Sequence, residues 1–99
     1  MIQVIVFYAL NEVFVKQFTT AFRELQPMVL AEDGCLQYEL FVSPYSPVRF
    51  CLVEKWASQD ALDVHLATEH LSDFREESRY WFEENPTIEI KEIIHERYL

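Results

Sequence analysis

The chain has 99 residues, the length of one domain, and its 17 acidic and 8 basic side chains give a net charge of −9. A chain so acidic offers no basic face, which excludes nucleic acid and an anionic membrane surface as partners. Hydrophobic residues make up 51% and aromatic residues 15%, more large apolar surface than a core this small hides, so a self-association surface and an apolar pocket are both expected.

Residues 1–99 read as a single domain, with no linker, repeat or low-complexity tract. The start lacks a basic segment followed by an apolar stretch and a small-residue cleavage site. The longest apolar run, Val4 to Leu10, is too short to cross a bilayer. A soluble, cytoplasmic protein is therefore expected.

Ile2 to Ala9 is β-branched and aromatic, and apolar on both parities, as in a strand buried on both faces. Asn11 offers an N-cap, with Glu12 in the first turn where the helix dipole favours an acid. Phe14, Phe18, Phe22, Leu25 and Val29 follow at helical steps and predict a core-facing stripe. Pro27 is expected to kink this helix or split it near Gln26. Gly34, the only glycine, marks the turn into the next strand. In Cys35 to Val42 the residues Leu36, Tyr38, Leu40 and Val42 share a face, as do Phe50, Leu52, Glu54 and Trp56 in the strand Phe50 to Trp56. A loop of about six residues, Ser43 to Val48, should join them in a hairpin. Keeping both apolar faces intact pairs Leu36 with Trp56, Tyr38 with Glu54 and Leu40 with Leu52.

Ser58 is a second N-cap candidate, and Ala61, Leu62, His65 and Leu66 follow at helical spacing. Thr68 can restart the helix. Leu71, Phe74, Ser78 and Trp81 continue it until Asn85-Pro86 ends it. The last strand is expected from Thr87 to about Arg97, with a bulge near Glu92. The order β-α-β-β-α-β is the ferredoxin-like arrangement of the α+β class: one antiparallel four-stranded sheet with helices on one face. The first strand is apolar on both faces, so a second copy of the chain is expected to cover the other side, making a homodimer.

Three stretches resemble one family. Glu32-Asp33-Gly34-Cys35-Leu36-Gln37-Tyr38 is similar to its helix-to-strand turn E-x-G-C-x-x-Y. Phe50 to Trp56 is similar to its strand F-x-x-x-E-x-W, and Ala61-Leu62, His65 and His70 match its helical segment A-L-x-x-H-x-x-x-x-H. Together they resemble the antibiotic biosynthesis monooxygenase domain, including its small quinol monooxygenases. The resemblance implies a dimeric α+β barrel with the two sheets facing each other, and a pocket between each sheet and its own helices. It implies oxidation of phenols or quinols by molecular oxygen with no metal or flavin. Relatives isomerise a phosphorylated sugar signal, and others degrade haem. Leu10-Asn11-Glu12 departs from the Lys-Pro-Gly-like turn many members carry. The first strand lacks the asparagine of haem-degrading relatives, which places that activity last.

Glu54 lies on an apolar strand face, where loss of hydration raises a carboxyl's pKa and makes it a proton acceptor near neutrality. It reads equally as the partner of Arg49, Arg75 or a tyrosine hydroxyl. Tyr38, opposite it, reads as a structural hydrogen-bond donor or as part of a proton relay. His65 and His70, five residues apart, would point about 140° apart on an unbroken helix, but a break near Thr68 could turn both toward one pocket. Histidine suits proton transfer near neutral pH; the plainer reading is packing or surface, and His95 reads as surface or interface. Trp56, Phe74 and Trp81 could wall a slot for a flat ring, or form plain core. One glycine leaves no phosphate loop, so no nucleotide cofactor is implied. The two histidines are poorly spaced as a metal pair, and Cys35 and Cys51 read as buried small hydrophobes, so no metal is expected. Two rivals stand beside the monooxygenase reading. One is an isomerase or lyase of a small keto sugar, whose phosphate would need Arg49, Arg75 or Arg79. The other is a non-enzymatic dimeric module whose pocket its own Phe7, Tyr8, Phe14, Phe18 and Trp81 would fill.

Overall fold

Two-sided apolar character puts the first strand at the centre of the sheet. The computed structural model describes residues 1–99, with β1 (Ile2–Leu10), α1 (Val15–Leu30), β2 (Cys35–Ser43), β3 (Ser46–Trp56), α2 (Gln59–Leu66), α3 (Glu69–Ser78) and β4 (Phe82–Glu92). The strands form one antiparallel sheet in the order β2-β3-β1-β4. The expected α+β, βαββαβ-type fold is what forms. Ile2, Val4 and Val6 of β1 pair with Trp56, Glu54 and Leu52 of β3, and all six are buried under the helices. No helix is long and apolar enough to cross a membrane.

A single 3-10 turn (Glu12–Phe14), with Asn11 accepting from the Val13 backbone N–H at 3.2 Å, leads into α1. Phe18, Phe22, Leu25 and Val29 make its buried stripe. Phe14 precedes the helix and stacks instead on Trp81, centroids 6.0 Å apart. Pro27 does not split the helix, which continues to Leu30. Leu25 and Val29, buried on either side of it, explain why. Burying two such side chains contributes about 3–6 kcal/mol, against about 3 kcal/mol for an interior proline. Gly34 makes the next turn with φ of 79°, a conformation that disfavours side chains.

The hairpin is tighter than expected. Only Pro44 and Tyr45 separate β2 from β3, and the Ser43 hydroxyl accepts from the Tyr45 N–H at 3.0 Å. Pro47 is accommodated because β3 pairs with β1 only from Arg49 onward. Tyr38 faces Glu54 and Leu40 faces Leu52 as expected, but Trp56 pairs with Cys35 rather than Leu36. A register shift between Cys35 and Gln37 turns Leu36 outward, where it is 54% exposed.

Ser58 caps α2 by accepting from the Ala61 N–H at 3.1 Å. The break falls where expected: the Thr68 hydroxyl donates to the His65 carbonyl at 2.7 Å, between α2 and α3. The end of α3 differs from the expectation. It stops at Ser78, and Asn85-Pro86 lies inside β4 rather than ending a helix. An edge strand tolerates proline, and the register with β1 shifts between Glu84 and Thr87. The bulge is thus here and not near Glu92. β4 ends at Glu92 instead of Arg97, and Ile94 is 92% exposed. The last residues turn back toward the sheet through Lys55, whose ammonium donates to Glu96 at 2.9 Å.

The face without helices carries Ile5, Phe7, Phe41, Cys51 and Val53, as strand alternation from the buried residues requires. Phe7 and Phe41 are each 48% exposed.

Candidate active site

Between the helix-covered face and the pair α2–α3 lies a cavity of about 290 Å³. The sheet contributes Tyr8, Tyr38, Leu52 and Glu54; α2 contributes Leu62 and His65; α3 contributes Phe74, Arg75 and Ser78; β4 contributes Phe82, Ile88 and Ile90. Of the expected site residues, Tyr38, Glu54, His65 and Phe74 line this cavity. Trp56, His70 and Trp81 are not in its lining. Trp56 is fully buried beneath it and packs on His65, ring centroids 4.5 Å apart. Trp81 stacks on Phe14 at the β1–α1 junction, where the Asn11 N–H donates to its carbonyl at 2.8 Å.

Glu54 is 5% exposed. Burial pushes its pKa from the ordinary 4.5 up to about 7, opposed by the Trp56 hydrogen bond and the Arg75 charge. Its Oε1 accepts from Trp56 Nε1 at 2.9 Å. The expected Tyr38 contact is not the one Glu54 makes, although the two residues are register partners. The Tyr38 ring instead stacks on Phe22 at 5.4 Å, nearly parallel. Burial first, then the Glu54 charge, raise the pKa of both Tyr8 and Tyr38, so each phenol stays protonated and available as a donor.

Behind Glu54 stands a second group of polar side chains. His65 Nδ1 lies 2.9 Å and His70 Nε2 2.8 Å from the same oxygen, Glu32 Oε2. A carboxylate only accepts, so each of these nitrogens carries the proton. Neutral His65 then presents a bare Nε2 toward Glu54 Oε1, 3.8 Å away. Burial lowers the His65 pKa, with Glu32 opposing, so the ring favours its neutral form. The α2–α3 break is what brings two histidines, five residues apart, to one atom. Glu32, His65 and His70 place ligand-type atoms within 4.8 Å of one another, a two-histidine, one-carboxylate set of the kind that can hold a divalent ion. Both ring nitrogens are here engaged by Oε2, while Glu32 Oε1 is buried without a partner.

Sequence reasoning gave Glu32 no chemical part; the one signal was a carboxylate two residues before the only glycine. Gly34 sits where an added Cβ would be 2.7 Å from the Ala61 Cβ. The glycine thus lets α2 come against the turn, and His65 reach Glu32. From sequence Tyr8 stands only as possible filler, because a residue of a two-sided strand does not reveal which face has a cavity.

Residues 1–77 match the family described as antibiotic biosynthesis monooxygenase. The chain belongs to this family. The match includes Glu32, Tyr38, Glu54, His65, His70 and Arg75, and stops just before Ser78 and β4. A crystal structure named antibiotic biosynthesis monooxygenase is 27% identical, covers 96% of this chain and 100% of its own, and superposes with a TM-score of 0.89. A Caulobacter crescentus structure assigned to the same family is 25% identical, with 95% and 90% of the two chains covered and a TM-score of 0.89. One from Deinococcus radiodurans, at 17% identity and a TM-score of 0.93 over 100% of this chain and 98% of its own, shares the fold. No curated protein matches the chain.

Proposed function

We propose that this family member is a cofactor-independent monooxygenase that oxidises a small phenol or quinol with molecular oxygen. The observation that carries the reading is Glu54, a carboxyl pushed up to about 7 within an apolar cavity of about 290 Å³. Such a group is poised to take a phenolic proton at neutral pH. Phe74 flanks the ring, and the Tyr8 and Tyr38 hydroxyls donate to its oxygens. The phenolate adds oxygen at a ring carbon that carries hydrogen, para to its own oxygen in a simple phenol and ortho to it in a quinol, forming a C–O bond to a peroxide that takes up a proton. Loss of that carbon's hydrogen and cleavage of the O–O bond release water and leave a quinone. Oxygen accepts all four electrons that the ring gives up, so no further reductant enters. His65, with Nε2 toward Glu54, receives the proton from it, and Glu32 and His70 hold the ring in that orientation.

The apolar lining supports this reading over a keto-sugar isomerase, since a sugar would leave many hydroxyls without partners. The open cavity beside Glu54 argues against a module that fills its own pocket. The helix-free face, with Phe7 and Phe41 half exposed, supports a homodimer closed through that face. Oxygen uptake by the apo protein over a panel of hydroquinones tests the chemistry. Uptake should fall at least to the background rate in Glu54→Gln, and equal rates in the two proteins would sink the proposal.

A further inference from the structure

Of Arg49, Arg75 and Arg79, two are spent at the surface. Arg49 pairs with Glu84 and Arg79 with Glu76, each at 3.4 Å. Arg75 has no carboxylate partner, and it is the only lysine or arginine in the cavity lining. Its charge is felt by Tyr8, Glu54 and His65, groups on three different elements around that space. The exposed members of the lining, Leu66, Arg75, Ile88 and Ile90, mark the rim. The cavity is therefore a mostly apolar slot, 12 of its 17 lining residues being hydrophobic, with one unpaired cation at the mouth.

We infer that Arg75 anchors an anionic group of the ligand, and that the cavity takes a flat aromatic carboxylate of one or two rings. The apolar interior requires an apolar ligand body. At about 290 Å³ it stands at the small end of ligand sites, which run about 300–1,000 Å³, and so holds one or two rings. A guanidinium is a planar fork that fits a planar carboxylate through two parallel hydrogen bonds. At the rim neither charge has to be fully dehydrated, so the pair forms without the penalty of a buried one. One cation in a chain of net charge −9 suits a monoanion better than a phosphate dianion. The inference rests on the proposed function only in taking this cavity as the substrate site; it adds that the phenol carries a carboxylate.

The test uses probes that cannot be oxidised, so binding is read apart from turnover. Benzoate and 2-naphthoate, with their neutral amides, are titrated calorimetrically into the full-length protein, Arg75→Gln and Arg75→Lys. The carboxylates should bind about tenfold more tightly than the amides. That preference should shrink to about twofold or less in Arg75→Gln, with amide affinity unchanged, and survive in part in Arg75→Lys. If Arg75→Gln does not fold, the wild-type preference is measured at low and high salt, where it should collapse as salt screens the pair. A preference that persists in Arg75→Gln or at high salt, equal affinities for acid and amide, or no binding of any probe overturns the inference. Oxygen uptake on neutral hydroquinones without carboxylate preference removes the anchor alone. Preference without uptake removes the chemistry alone.

Discussion

Glu54→Gln should change how stability depends on pH, not only activity. The substitution keeps the shape and an acceptor for Trp56 Nε1, but removes the titration. In the folded chain burial holds the Glu54 pKa near 7, against the ordinary 4.5. Between those values the unfolded chain releases the proton and the folded chain keeps it. The folded state then binds more protons, so stability falls as pH rises through this window, and the loss is complete above about pH 7. A rise from 4.5 to about 7 corresponds to about 3 kcal/mol. Glu54 is nearly inaccessible to solvent, so screening takes little from this figure. Urea denaturation of both proteins, at one protein concentration and at several pH values from about 4.5 to about 8.5, isolates the effect as a difference. Glu54→Gln should gain about 3 kcal/mol relative to wild type across that range. A difference that stays flat, or that changes in the opposite direction, means that the fold does not raise the Glu54 pKa and leaves it too weak a base for a phenolic proton.

Two further substitutions test the scaffold. Gly34→Ala places a methyl group 2.7 Å from the Ala61 Cβ at a backbone φ of 79°; strain and overlap together should cost about 2–4 kcal/mol in urea melts, and an unchanged midpoint would refute the close turn–helix contact. Phe7→Glu should convert the proposed dimer to monomer in sedimentation or light scattering. Phe7 is 48% exposed, about 100 Å² of ring, so two symmetric copies contribute about 5 kcal/mol at about 25 cal/mol/Å². A dimer of undiminished affinity would show that the helix-free face is not the contact.

The central architecture was legible because its residues speak twice. β1 is apolar on both parities, and Glu54 shares its face with Phe50, Leu52 and Trp56, so both the sheet and the anomalous carboxyl could be read from spacing. The Tyr38–Glu54 register followed from the same alternation. What escaped reading depended on tertiary context. Asn85-Pro86 is a helix terminator by local rules, yet it sits in β4 because an edge strand does not need that N–H. The Trp56 partner slipped to Cys35 through a bulge that no local pattern announces. Glu32 became the acceptor for two histidines only because a turn and a helix break converge there, and that distance does not exist along the chain. Arg75 looked like its neighbours Arg49 and Arg79 until the fold gave those two acidic partners and left it without one.

The Asn85-Pro86 bulge has a consequence for how copies of the chain can meet. A sheet has two ways to grow: face against face, which closes after one partner, and edge against edge, which repeats without limit. β4 forms one outer edge, and Pro86, with the register shift around it, interrupts the row of donors that an incoming strand would need. A chain with Phe7 and Phe41 exposed on its open face is thus sticky in the direction that terminates and blunted along this edge in the direction that propagates.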